Sequence, residues 1–333
     1  MNQVLEKPIL IVSSDIDSHT TAPVCSELEK LGAHYTLYSS DRIMNMQDEF
    51  SINIGMNTFD VTLNETGISP SDIAAAWYRK PGSFVRTEQT QDIAKNVYLR
   101  HEISYMHENI WYLYPDNLWL NSPKNIRSSD SKLSQLILAR EMGFEIPETV
   151  AGNSWEAIER LTQKSDIIAK MVRGVIAEDN SLKAMYTTRL TEENIQQLAA
   201  AANPFPGIYQ HYKKKQREWR VTVVGQDVFS AAIYTGVEAK DDWRKLQTTP
   251  AVTFRREELP DDITEKCALY VSRLNLAFGA LDFIEQDDGT LYFLECNPNG
   301  QYQWLESSLG LPISNSIACA LINIALKNNS MQS

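Results

Sequence analysis

The sequence predicts an α/β protein built in three parts. A strand–helix–strand opening lies between Lys7 and Ser40. A second region starts with a capped helix beyond Ser128, and a third is rich in alternating strands and ends in an acidic hairpin. In the opening, "KPILIVSSDID" is a short apolar, β-branched run that ends in Ser and Asp. "APVCSELEKLGA" has helical spacing with Gly32 as its stop, and "HYTLYSS" reads as the next strand. "IAAAWYRKPGSF" is expected to be a strand ending at Pro81, and "QDIAKNVYLRHEISYMHENIWYLY" a helix with a mixed polar face. A boundary is expected between Pro115 and Ser122.

Ser128, Ser129 and Asp130 offer N-cap chemistry to the helix "SKLSQLILAREMG", which should stop near Gly143 before the extended "FEIPETV". Lys132 then falls in the first turn. "DIIAKMV" reads as a strand, with Lys170 its one charge after Asp166. "PGIYQHYKKKQREWRVTVVGQDVFSAAIYT" reads as strand, loop, strand, turn, strand, with Gly225 and Gln226 at the tip. Alternation there puts Glu218, Arg220 and Thr222 on one polar face, opposite Trp219, Val221 and Val223. "ELPDDITEKCALYVSRLNLAFGA" supplies an amphipathic helix, and the tail after Lys327 is expected to fray.

Composition excludes several functions. A chain of 333 residues with 43% hydrophobic content can bury a sizeable core, and its formal charge of −12 argues against duplex nucleic acid as the main ligand. No apolar run reaches the about 18 residues that a membrane helix needs, and no signal-like segment opens the chain, so a cytoplasmic protein is expected. Cys25, Cys267, Cys296 and Cys319 form no CxxC pair, which leaves structural burial as the reading for all four.

The stretch "GALDFIEQDDGTLYFLECNPNGQYQW" carries the chemistry. Asp288-Gly289 is a two-residue hairpin signal, and with those residues as the loop Asp282 lies directly opposite Glu295. Opposed side chains have Cβ atoms about 4.5 to 5.5 Å apart, and Asn297 shares their face. Leu281, Phe283, Leu294 and Cys296 take the other face, as a packed interior. Two carboxylates so close repel unless a cation lies between them. Oxygen donors without His or Cys favour Mg²⁺ or Mn²⁺, and Mg²⁺ usually completes its shell with phosphate and water.

In order along the chain, Lys132, Lys170, the Gln210–Tyr212 linker, Arg220, Arg244, Asp282 and "ECNPNG" resemble the ATP-grasp superfamily. The segments "AAAWYRKP", "WRVTVVGQDVFSAAI", "DDWRK" and "ALDFIEQDDGTLYFLECNPNGQYQWLE" resemble most the graspetide synthetases, the microviridin-type macrocyclases of ribosomal peptides. The resemblance implies an ATP-grasp α/β fold with an N-terminal βαβ-type pre-ATP-grasp domain, divided as 1–118, 119–208 and 209–329. It implies that Lys132 and Lys170 hold the α- and β-phosphates, that the backbone of Gln210, His211 and Tyr212 pairs with adenine, and that Asp282, Glu295 and Asn297 ligate the metal. Arg220 and Arg244 then hold the γ-phosphate and the acyl phosphate made from it, a task for a planar, bidentate guanidinium. ATP and Mg²⁺, with Mn²⁺ as a substitute, are the implied cofactors.

The implied reaction activates Asp or Glu side chains of a precursor peptide that has a leader segment and an acidic core, and closes ω-ester or ω-amide rings with Ser, Thr or Lys. A homodimer is expected, with neither nucleic acid nor membrane as partner. The run "YKKKQR" reads equally as a solvated tip or as a basic patch for an acidic peptide. After Lys170 only Gly174 stands where many ATP-grasp enzymes have a glycine-rich phosphate loop. The alternatives are a ligase of small molecules, a hydroxyl kinase on this fold and a non-catalytic nucleotide-binding module.

Overall fold

The computed structural model describes residues 5–44, 47–81, 93–171, 175–178, 181–184, 187–201, 206–236 and 251–332. Its first layer is a parallel sheet in the order Tyr35–Ser39, Ile9–Ser13, Ala75–Tyr78. Ile9 to Val12 are wholly buried, as a parallel strand covered on both faces requires. The helix Ser18–Lys30 makes the crossover, and Gly32 ends it at φ +74°. A small antiparallel sheet (Phe50–Ile54, Phe59–Leu63, Thr66–Gly67) and the helix Ile93–Ile110 complete this layer. The expected boundary segment first joins the layer: Leu120 N–H donates to Ala76 O at 2.9 Å.

The central sheet runs Thr188–Arg189, Ile167–Lys170, Gly207–His211, Thr149–Gly152. The third sheet is antiparallel, in the order Val252–Arg256, Asp227–Thr235, Arg217–Val224, Phe278–Glu285, Leu291–Asn297. Gly225, at φ +60°, opens its two-residue turn between Val224 and Asp227. One face of this sheet packs on the helices Lys132–Glu141 and Asp261–Arg273 through Trp219, Val221, Leu281, Phe283, Phe293 and Cys296. Phe144, Tyr270, Phe283 and Phe293 meet there as an aromatic cluster with centroids 5.0–5.9 Å apart. The other face shares a core with the N-terminal layer and the helix Ile313–Gln332.

Two local expectations are corrected. Pro123 starts a short helix of its own, Pro123–Ser129, capped by Ser122, so the cap of the following helix moves from Ser128–Asp130 to Ser131. The tail after Lys327 stays helical to Gln332 because buried Asn328 donates to Ala74 O at 3.1 Å and accepts from Asn117 Nδ2 at 2.8 Å. Cys25, Cys267 and Cys296 are buried thiols, while Cys319 is only half-buried. No described helix is long and apolar enough to cross a membrane.

Candidate active site

The acidic hairpin reaches its expected pairing by a different route. Gln286 N–H donates to Thr290 O at 3.0 Å, so the loop has three residues, Asp287 to Gly289, with Gly289 at φ +83°. The longer loop shifts the adjoining register by one residue, placing Phe283 opposite Phe293. A β-bulge then skips Leu294 and returns Asp282 to Glu295 and Ala280 to Asn297. Phe293 therefore takes the buried place that alternation assigns to Leu294, which is half-buried.

Arg220 stands opposite Asp282 on the neighbouring strand, so Arg220, Asp282 and Glu295 form one row across three strands. Arg220 Nε lies 2.9 Å from Asp282 Oδ1, and Lys132 Nζ lies 3.1 Å from Glu295 Oε2. Each carboxylate thus meets a cation. The Arg220 contact is an ion-pair approach without hydrogen-bond alignment, and its buried Nε and Nη1 have no hydrogen-bond partner. Unsatisfied donors on a buried guanidinium suit an anionic ligand. Gly300 lets the guanidinium lie this close: a Cβ there would fall 3.1 Å from Arg220 Nη1 and 2.3 Å from Ala280 Cβ.

Asn297 Oδ1 accepts the Asn299 N–H at 2.9 Å, which fixes the amide and leaves its second lone pair. No group of three or more His, Cys, Asp or Glu that could hold a metal occurs among the described residues. Two carboxylates and one amide oxygen instead fit Mg²⁺, which takes few protein ligands and shares the rest with phosphate and water.

Lys132 joins this row from the first turn of its helix, whereas Lys170 ends a strand of the central sheet opposite Ile208. Gln210 lies inside that sheet with its side chain buried, donating to Thr149 Oγ1 at 2.9 Å. The N–H groups of His211 and Tyr212 are bonded to Glu148 O (3.0 Å) and Asp166 O (2.8 Å). The chain leaves the sheet after His211, so the irregular linker starts at Tyr212 and runs towards Gln216. The basic run is locally matched: Lys215 pairs with Glu218, Lys214 with Asp287 at 3.5 Å, and Lys213 lies over the Tyr292 ring at 4.2 Å. Arg244 and Gly174 lie outside the described residues.

Three positioning residues escaped the sequence reading. Gln135 Nε2 donates to Cys296 O and Ser129 O, both at 2.7 Å, and its Oε1 accepts Cys296 N–H at 2.8 Å. It acts as a one-residue strand on the sheet edge between Glu295 and Asn297. Asn121 does the same for the neighbouring strand, accepting from Ala277 N and Phe278 N and donating to Phe278 O and Pro298 O. Arg79, wholly buried, bonds Asp17 Oδ2 at 2.8 Å, Asn299 O at 2.7 Å and Gln301 Oε1 at 2.6 Å, tying the first layer to the turn after Asn297. A Gln on the apolar face of a helix beside Leu136 and Ala139 was the available signal for Gln135.

Neither a family model nor a curated protein sequence matches the chain. Solved structures do. A Chryseobacterium gregarium RiPP-associated ATP-grasp ligase, in complex with ADP and a leader and core peptide, is 27% identical with a TM-score of 0.84, covering 95% of this chain and 97% of its own. The macrocyclase MdnC of Microcystis aeruginosa, bound with precursor peptide MdnA, is 24% identical with a TM-score of 0.81 and coverage of 95% and 99%. The ATP-grasp ligase PsnB, complexed with a phosphomimetic precursor variant, Mg and ADP, is 21% identical with a TM-score of 0.74 and coverage of 96% and 99%. By fold the chain is an ATP-grasp protein, and over nearly its whole length it is similar to a RiPP-associated ATP-grasp ligase.

Proposed function

We propose that this protein is an ATP-dependent ligase that activates Asp or Glu side chains of a precursor peptide and closes rings through ω-ester or ω-amide bonds. The observation that carries the reading is the row Arg220–Asp282–Glu295 with Lys132 across it, where two acids, two cations and unsatisfied guanidinium donors converge. The ADP, Mg and peptides bound by the similar enzymes support the same assignment.

In this reading Asp282, Glu295 and Asn297 would hold Mg²⁺, or Mn²⁺ in its place, which would supply charge neutralisation for the bound phosphates. Lys132 turns from Glu295 towards phosphate, with Lys170 as the second phosphate lysine. Gln210 to Tyr212 lead into the adenine-binding linker, and the adenine contacts fall at Tyr212 and beyond, because the His211 and Tyr212 N–H groups are already bonded. A peptide carboxylate oxygen attacks the γ-phosphorus, the bond from that phosphorus to the ADP oxygen breaks, and an acyl phosphate forms. A Ser or Thr hydroxyl or a Lys amine then attacks the acyl carbon, losing its proton, and phosphate departs with the bridging oxygen. Arg220, joined by Arg244, grips the anion throughout, so catalysis is positioning and charge neutralisation. The division at 118 and 208 belongs to this reading, as do a cytoplasmic homodimer and a remote leader that holds the peptide.

Glu295→Gln tests it. Loss of one ligand charge at an edge-strand surface should abolish precursor-dependent ADP release with the fold intact. Wild-type turnover with unchanged metal dependence would overturn the metal assignment.

A further inference from the structure

The strand Ala75–Tyr78 ends against the turn that follows Asn297. Arg79 Nη1 donates to Gly300 O at 3.1 Å, and a Cβ on Gly300 would lie 3.1 Å from Arg220 Nη1. Both guanidinium groups thus border the same glycine. Lys80 comes next in the chain, at φ +40°, a left-handed conformation that lysine adopts only where its surroundings impose it. Its carbonyl is held by Ser14 Oγ at 3.1 Å.

The Lys80 side chain is partly withdrawn from water, and its ammonium makes no hydrogen bond or ion pair among the described residues. Burial, then the neighbouring Arg79 and Arg220 charges, lowers its pKa to about 8 against the opposing pull of Asp17. Asp17 is already committed, bonded by Arg79 Nε, Gln301 Nε2 and Thr20 Oγ1. Arg220 beside it retains two buried donors without hydrogen-bond partners. Lys80 has no anionic partner among the described residues, and Arg220, though ion-paired with Asp282, keeps donors without hydrogen bonds, so an anion between the two cations removes their repulsion and meets those donors.

We infer that Lys80 and Arg220 form a carboxylate subsite at the seam between the N-terminal layer and the five-strand sheet, which receives the peptide side chain to be phosphorylated. The inference rests on the ligase reading above and adds a substrate-binding residue from a different layer. Arg220 supplies a planar fork and Lys80 a point charge, so the pair fixes both orientation and sign of the bound group.

The probe is glutarate, which carries the side-chain carboxylate of Glu, titrated by saturation-transfer NMR into the full chain loaded with Mg-AMPPNP. Lys80→Met removes an unpaired, partly buried charge, so it should fold, and it should bind AMPPNP within about threefold of wild type. It should lose roughly tenfold or more of the glutarate affinity, as for a charged hydrogen bond, while Lys80→Arg keeps most of it. Unchanged glutarate binding in Lys80→Met overturns the subsite, as does a wild type that binds AMPPNP but no glutarate. A wild type that binds no Mg-AMPPNP overturns the ATP-dependent reading and the subsite with it.

Discussion

Replacing Gln135 with Met keeps the length of a buried side chain and removes its hydrogen bonds. Three backbone groups lose their partner: Cys296 N–H, Cys296 O and Ser129 O. A buried group left unmade costs about 1 to 3 kcal/mol, so the loss should reach about 3 to 5 kcal/mol. Its location matters as much as its size. Cys296 sits between Glu295 and Asn297 on an edge strand, and Gln135 is three residues from Lys132 on the facing helix. The variant should therefore lower the thermal midpoint and also raise the Mg²⁺ concentration needed for half-maximal ADP release. Leu259→Ala, in the same core but away from the acidic row, is the control, with an expected cost of about 2 to 5 kcal/mol. Loss of stability in both variants with a shifted Mg²⁺ requirement in Gln135→Met alone is the expected pattern. A Gln135→Met protein with wild-type Mg²⁺ dependence would refute the claim that this amide sets the ligand geometry.

Arg220→Lys keeps the charge but loses the fork, so ATP affinity should stay within a few-fold while ring closure, read by mass spectrometry as loss of one water per ring, falls by a factor on the order of 10². Normal ring formation would make Arg220 structural. The pH profile bears on Lys80, whose pKa is lowered to about 8 by burial and then by the Arg79 and Arg220 charges, against the pull of Asp17. The cation is the binding form, so kcat/KM for the peptide should fall as pH rises through about 8. Lys80→Arg should move that limb to higher pH, and an unaltered profile would exclude Lys80 as its source.

The parts of the site that obey local rules were legible in the sequence. Strand alternation and the Asp-Gly turn were enough to place Asp282 against Glu295, and cap chemistry before the helix was enough to put Lys132 in its first turn, although the cap is Ser131 and not Ser128 to Asp130. The turn has one residue more than the Asp-Gly signal predicts, and Asp282 still pairs with Glu295 because the added loop residue and the bulge at Leu294 offset each other. No local pattern distinguishes a two-residue loop from a three-residue loop followed by a bulge. The row of Arg220 beside Asp282 needed the strand order, since the two strands are far apart in sequence. The roles of Asn121 and Arg79, and the partner of the out-of-place Gln135, were illegible because the groups they bond lie 157, 220 and 161 residues away. An amide serving a distant backbone edge looks, in sequence, like any other polar residue.

The most direct test of acyl-phosphate activation follows the oxygen. A precursor peptide with ¹⁸O in its Asp and Glu side-chain carboxylates is turned over with unlabelled ATP, and the released phosphate is analysed by mass spectrometry. The bridging oxygen of an acyl phosphate leaves with phosphorus, so each ring closed should deliver one ¹⁸O into inorganic phosphate. Rings formed with unlabelled phosphate would contradict the account.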